Sequence, residues 1–468
     1  MEETIIDVLS YNSFLFTLIV VGSLIALMLI IKLIHGDFGI KKIYTFKKDM
    51  KELSKKEKLY MKKEDNSIYL GTNPNKKDIF LKDNAKHIYV CGTTGSGKTV
   101  TLSNFIKYAV EKDSPVLIVD GKGDTNQNSL LDIVKKFKKD KKVYVIDLNN
   151  PKTSDKYNPF NGTSYTVVKD MLINMTEWSE EHYKYNVELY LQKLVELLIK
   201  NDIKLSFKTI TQNMNVESFQ VLSNNLLEKG LITKREHIID LEFVKATATI
   251  IIGASARFST IIESELGEIF SDDGIDIYSA LKENAIILFV LNPLIYPELS
   301  TLIGRLITID SKKAISNLYQ DKIDRGFFLF DEINVYASRS LLDLVNKSRS
   351  ANITCILASQ SLSDLEESAG EYFKEQVIEN CNNYIIMRQN SAINAESWAN
   401  IIGTKETMDV TYQIKPEGDT GSGSARRVRE FLYHPDEIKN LPVGTGFLIS
   451  KDNNFKTKII INKPFKGD

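Results

Sequence analysis

Three regimes of apolar spacing follow one another along this chain. The first is continuous. No charged residue occurs between Tyr11 and Ile31, and residues 14–31 are almost wholly apolar. A helix needs about 20 such residues to cross the hydrocarbon core of a bilayer, so this stretch predicts one transmembrane helix. The second regime is short apolar runs broken by turns. Residues 67–70 and 78–81 flank Gly71-Thr72-Asn73-Pro74-Asn75 and predict a hairpin. Residues 87–91, 115–119 and 143–146 read as buried strands, with a helix over 100–110 between the first two. Such strand–helix alternation predicts an α/β fold, a parallel sheet with helices on both faces. The third regime has helical spacing. Within residues 165–245 a stripe of Val187, Tyr190, Leu191, Leu194, Leu197 and Leu198 marks an apolar helix face. Strand runs return at 285–291, 327–330, 354–358 and 384–387, so the sheet is discontinuous in sequence around an inserted all-helical domain. Residues 409–426, rich in Gly, Ser, Thr and charge, read as a mobile loop. A short β-rich tail follows over 446–461.

Charge then orients the first regime. The start, Met1-Glu2-Glu3, is acidic and no small-residue cleavage site follows, which argues against a secretory signal peptide. After the span come Lys32, Lys41, Lys42, Lys47, Lys48, Lys51, Lys55, Lys56, Lys58, Lys62 and Lys63. Lysine clustering marks the cytoplasmic side, so residues 1–10 are expected outside and the chain after about residue 34 inside. These lysines suit either an anionic lipid surface or a solvated helix. The formal net charge of -1 excludes a uniformly basic, nucleic-acid-coating protein; any DNA contact must come from local patches. Cys91, Cys355 and Cys381 show no metal-ligand or redox spacing and fit a reducing compartment.

The chemistry concentrates in Gly92-Thr93-Thr94-Gly95-Ser96-Gly97-Lys98-Thr99, which satisfies G-x-x-x-x-G-K-[ST] between a strand and a helix. Glycines allow a tight loop whose N–H groups face phosphate oxygens. Lys98 is expected to reach the β- and γ-phosphates of ATP, and Thr99 to ligate Mg2+. A second apolar strand ends in Asp331-Glu332, where Asp331 would hold the Mg2+ and Glu332 would act as general base. Gln360 follows the run 354–358 at the carboxyl end of a strand, facing the ligand crevice; it stands either as γ-phosphate sensor or as a turn residue. Arg349, in Asn346-Lys347-Ser348-Arg349-Ser350, is either an arginine finger reaching a neighbouring subunit's nucleotide or a solvated helix residue. The expected organisation is a membrane anchor over 1–35, a basic juxtamembrane stalk over 36–66 and the nucleotide-binding domain over 67–160 and 246–468. The all-helical domain occupies 161–245.

The ordered set of motifs resembles the bacterial conjugation coupling proteins, the type IV coupling protein family, over roughly residues 65–460. In the first half it is carried by the glycine loop, Asp120-Gly121-Lys122-Gly123-Asp124 and Tyr157-Asn158-Pro159-Phe160. In the second half it is carried by Gly304-Arg305, Phe330-Asp331-Glu332, Gln360-Ser361-Leu362, Glu379-Asn380-Cys381, Pro435-Asp436-Glu437-Ile438 and Leu441-Pro442-Val443-Gly444. The resemblance implies a RecA-like P-loop ATPase anchored in the inner (cytoplasmic) membrane and assembled as a homo-hexamer. It implies a motor that delivers DNA with a relaxase to a type IV secretion apparatus. By motif, Lys98, Thr99, Asp331, Glu332, Gln360 and, with a looser surrounding motif, Arg349 inherit the roles above. The family usually has two membrane spans, and this chain shows one. Two other readings compete: a chromosome- or septal-translocase motor, and a nucleotide-switched membrane ATPase of an anti-phage defence system.

Overall fold

The computed structural model describes residues 19–27, 57–84, 86–178, 180–415 and 418–465. Two compact units divide the chain after Lys62. In the first, residues 19–27 are helical with exposed side chains. The rest of the expected span, and the stalk up to residue 56, lie outside the described residues. Among the described residues no helix is long and apolar enough to cross a membrane.

The second unit is organised on one eleven-stranded sheet. In chain order the strands are β1 (Ser67–Thr72), β2 (Asp78–Lys82), β3 (Ile88–Cys91), β4 (Val116–Asp120), β5 (Val143–Asp147), β6 (Ile286–Val290), β7 (Gly326–Asp331), β8 (Ile353–Ser359) and β9 (Asn383–Ile386). A separate ribbon, β10 (Thr404–Lys415) and β11 (Gly418–Phe431), precedes β12 (Thr445–Ser450) and β13 (Phe455–Ile461). Their order across the main sheet is β2-β1-β13-β12-β9-β3-β8-β7-β4-β6-β5. From β9 to β5 all neighbours are parallel. β4, β6, β7 and β8 are buried along their whole length. That is the burial a parallel sheet covered on both faces requires, and it explains why these strands read as unbroken apolar runs.

The 67–81 hairpin and the C-terminal tail both join this sheet. β12 pairs antiparallel with β9, β13 with β12, β1 with β13 and β2 with β1. The sheet is therefore mixed, with an antiparallel edge beyond β9.

Between β5 and β6 the regular elements among the described residues are helices, from Tyr165–Asn174 to Ile277–Lys282. Helix Glu181–Lys200 buries Val187, Tyr190, Leu191, Leu194, Val195, Leu197 and Leu198. This stripe packs against helices Tyr165–Asn174, Val216–Glu228 and Ala248–Ile262. Where the chain leaves the sheet, the Tyr157 hydroxyl donates to the buried Asp310 carboxylate at 2.9 Å. Asn158 donates to the Leu205 carbonyl at 2.8 Å. The Tyr157-Asn158 pair thus ties the helices to the sheet layer.

Of the expected loop over 409–426, residues 416 and 417 lie outside the described residues and the others are not a loop. They belong to the β10–β11 ribbon, paired antiparallel from Thr404↔Phe431 to Lys415↔Gly418, with a bulge between Tyr412 and Ile414. Their Gly- and Ser-rich composition carries little intrinsic strand preference. Backbone pairing with the preceding segment supplies what composition does not.

Candidate active site

β3 is four buried residues, Ile-Tyr-Val-Cys, and the glycine loop leaves its carboxyl end. Helix α1 (Lys98–Glu111) begins at Lys98, with Gly97 as its N-cap at φ 113° and no side chain capping it. The first-turn N–H groups of such a helix and its dipole form an anion site. Gly95 is also left-handed, at φ 74°. Gly92 is required by close approach. A Cβ there would stand 2.6 Å from Ser96 Oγ and 2.7 Å from Met387 Cβ.

The loop is held from several sides. Gly92 N donates to the Ser359 carbonyl at the end of β8, Thr93 N to the Arg388 carbonyl, and Gly444 N to the Ser96 carbonyl. Met387 lies beneath the loop, its sulfur accepting from Thr101 Oγ1 at 3.6 Å. Neither Met387 nor Gly444 was assigned to the site from sequence. Nothing local marks Met387. Gly444 stood in a quoted motif without a role.

Asp331 ends β7 and is buried. Glu332 follows at φ 48° and ψ 55°. A left-handed conformation in a non-glycine residue costs on the order of 1 kcal/mol, held here by the surrounding contacts. Lys98 Nζ donates to the Gly92 carbonyl at 2.8 Å and lies 3.5 Å from Glu332 Oε1. Gln360 links the two halves. It accepts from Thr94 Oγ1 at 3.1 Å and donates to Glu332 Oε1 at 3.3 Å.

The electrostatics favour a bound cation. Burial, then the neighbouring Glu332 and Asp120 carboxylates, hold the Asp331 carboxyl far above the ordinary carboxylate range. Burial pushes Asp120 up to about 6, although Lys122 and Gly123 N–H groups stabilise its charge. Glu332 Oε2 is buried without a hydrogen-bond partner. Crowded carboxylates with an orphaned oxygen fit a site for Mg2+, which takes one or two carboxylates plus substrate oxygens. Thr99 lines the same cleft.

The cleft holds about 490 Å3, within the usual range of small-ligand sites. It is lined by Thr93, Thr94, Gly95, Gly97, Lys98 and Thr99, by Asp331, Glu332 and Gln360, and by Gly121, Lys122, Asn128 and Leu294. The strand order β3-β8-β7-β4 sets the glycine loop, Gln360, Asp331 and the Gly121-Lys122 turn at successive strand ends. Arg349 is not among the lining residues. It precedes β8, whereas Gln360 follows it. Seven strand residues at about 3.3 Å each put roughly 20 Å between the two ends of β8. The exposed Arg349 therefore stands near the amino end of β8, and the glycine loop lies by its carboxyl end.

The family model for the type IV secretion-system coupling protein DNA-binding domain matches residues 78–462. A solved bacterial conjugative coupling protein, TrwBdeltaN70 in an unbound monoclinic form, superposes with a TM-score of 0.64 at 16% identity, covering 87% of this chain and 91% of that one. Plasmid coupling protein TrwB in complex with ADP and Mg2+ gives 0.61 at 18% identity, covering 86% and 91%. These likenesses establish the shared fold. An uncharacterised protein of Mycoplasma pneumoniae is 31% identical over 109 residues, 23% of this chain and 70% of its own length.

Proposed function

Because the chain belongs to the type IV secretion-system coupling protein family, we propose that it is an ATPase that couples hydrolysis to moving DNA toward a type IV secretion apparatus. The observation that carries this reading is the convergence of the glycine loop, Asp331-Glu332 and Gln360 on one cleft.

The residues divide the work by position. The loop N–H groups and Lys98 bind the phosphates, and Thr99 with Asp331 would hold Mg2+. Bound Mg2+ supplies positive charge beside the oxygens of the transferred phosphoryl group. Glu332, already hydrogen-bonded to Gln360, orients the attacking water and takes its proton. Gln360 touches both Thr94 and Glu332, so a phosphate that shifts the loop also shifts the base. The solved relative named with ADP and Mg2+ supports the choice of ligand.

The remaining features complete the reading. One N-terminal span anchors the chain in the inner membrane, with the ATPase in the cytoplasm. The helices between β5 and β6 form the all-helical domain. Six copies assemble as a ring around DNA, a relaxase or other secretion protein accompanies the cargo, and Arg349 serves a neighbouring copy's nucleotide. The lysine excess after the span and the exposed position of Arg349 support the first and last of these. The family match over 78–462 favours this reading over a chromosome or septal translocase.

The test compares Lys98→Ala with Glu332→Gln in the full-length chain. Lys98→Ala should abolish hydrolysis and weaken ATP binding, because the cradle loses its cation. Glu332→Gln should bind ATP within a fewfold of wild type and turn over about a hundredfold more slowly, the usual order for a lost general base. Wild-type turnover in Lys98→Ala, or loss of binding in Glu332→Gln as complete as in Lys98→Ala, would sink these roles.

A further inference from the structure

The segment Asp120-Gly121-Lys122-Gly123-Asp124 has no part in the chemistry described so far, yet it faces that chemistry. Asp120 ends β4 and is the registered neighbour of Asp331 on β7. The two glycines are wedged between strand ends. A Cβ at Gly121 would stand 2.7 Å from the Asp331 carbonyl oxygen. At Gly123, with φ 71°, it would stand 1.9 Å from the Leu291 carbonyl oxygen. Neither position tolerates a side chain without movement of a strand end.

Lys122 lies between them. The Asp120 carboxylate accepts the N–H of Lys122 at 2.9 Å and of Gly123 at 3.2 Å, which fixes the turn. Lys122 lines the same cleft as Thr93, Thr94 and Lys98, and strands β8 and β7 separate its strand, β4, from the β3 strand that leads into the glycine loop. Its ammonium donates to Asp124 at 2.8 Å, an ion pair whose lysine is half exposed. It is also within electrostatic reach of Asp331, at the end of the neighbouring strand. An exposed pair of this kind is weak in water, so a phosphate displaces Asp124 at little cost. Lys98 serves the phosphates from the glycine-loop side, beside Gly92 and Glu332. A triphosphate brings one more negative charge into this cleft than a diphosphate, and Lys122, at the end of β4, is a second lysine lining it.

We propose that Lys122 contacts the terminal phosphate and is the residue by which the cleft prefers a nucleoside triphosphate to a diphosphate. The inference rests on the nucleotide-site reading above. Asp120 is its positioning residue, holding the turn that presents it. Release of the terminal phosphate returns Lys122 to Asp124, so the turn reports hydrolysis to the ends of β4 and β6.

Equilibrium binding of ADP and of a non-hydrolysable ATP analogue, both with Mg2+, tests this on the full-length chain. Lys122→Ala should lower affinity for the analogue about tenfold, the scale of one charge-assisted contact, and leave ADP within about twofold. Retained ADP binding certifies that the variant is folded. Lys122→Arg, which keeps the charge, should restore most of the preference. Equal losses for both nucleotides, or no change for either, overturn the proposal. Lys98→Ala separates the two readings. If it weakens both nucleotides while Lys122→Ala changes neither, only the role of Lys122 fails. If Lys98→Ala also changes neither, the nucleotide site itself is wrong and the role of Lys122 falls with it.

Discussion

His87 sits just before β3 with 5% of its surface exposed. Its Nδ1 accepts the Cys355 N–H at 3.1 Å, which fits the neutral ring. Burial lowers its pKa from 6.5 to about 4; a hydrogen bond to the Val345 backbone opposes the shift, and the Arg349 and Arg325 charges reinforce it. The unfolded chain therefore takes up this proton near pH 6.5, before the folded chain does. Stability from His87 is fully present above about pH 6.5 and is lost as pH falls toward 4. The shift corresponds to roughly 3 kcal/mol. In denaturant unfolding at pH 7 and pH 4, wild type should lose about that much more than His87→Gln. Equal losses would show that the imidazole does not carry this dependence. No residue pattern in the sequence announced this histidine, because its shift comes from burial, and the segments of Val345 and Cys355 that enclose it lie far from it along the chain. Lys98 is the opposite case. Its contacts to Gly92 and Glu332 follow from a contiguous motif and from the Asp-Glu pair at the end of an apolar strand, so its place was legible.

At the scale of elements, strands buried on both faces were the most legible. β4, β6, β7 and β8 are continuous apolar runs, and such runs leave few alternatives. The β10–β11 ribbon was not legible, since Gly423 and Ser424 pair with Tyr412 and Thr411 only once the chain has doubled back. The support of the glycine loop by β9 and the 442–444 turn was hidden for the same reason: Met387 and Gly444 reach Gly97 from remote sequence. The apolar stretch 14–31 is proposed as a span on composition alone. Its orientation follows from the lysine excess after Ile31. A cysteine placed at Ile5 should react with a membrane-impermeant reagent on intact cells. Reaction only after permeabilisation would place that end inside and reverse the topology.

At the scale of the whole molecule, a single chain brings the glycine loop, Asp331, Glu332 and Gln360 to one cleft, and among the described residues no arginine lines it. Arg349 stands some 20 Å from Gln360 along β8, so its proposed action must cross between copies. Arg349→Ala and Lys98→Ala chains, each inactive alone, should recover part of the activity when mixed, since an intact cleft then meets an intact arginine. No recovery at any ratio, with mixed assemblies confirmed by tag pull-down, would assign Arg349 to the solvated surface. The cleft was legible because each of its parts is a short motif at the end of an apolar strand; an assembly of copies was not, because contacts between copies leave no periodic signature within one copy. The central claim is that ATP hydrolysis in this cleft drives movement on DNA. Its most direct measurement is steady-state ATPase activity of the full-length chain with and without single- and double-stranded DNA, with Lys98→Ala as the blank. The account predicts hydrolysis absent from the blank and stimulated several-fold by at least one form of DNA. Hydrolysis that ignores both forms of DNA would contradict it and favour a nucleotide-switched membrane ATPase.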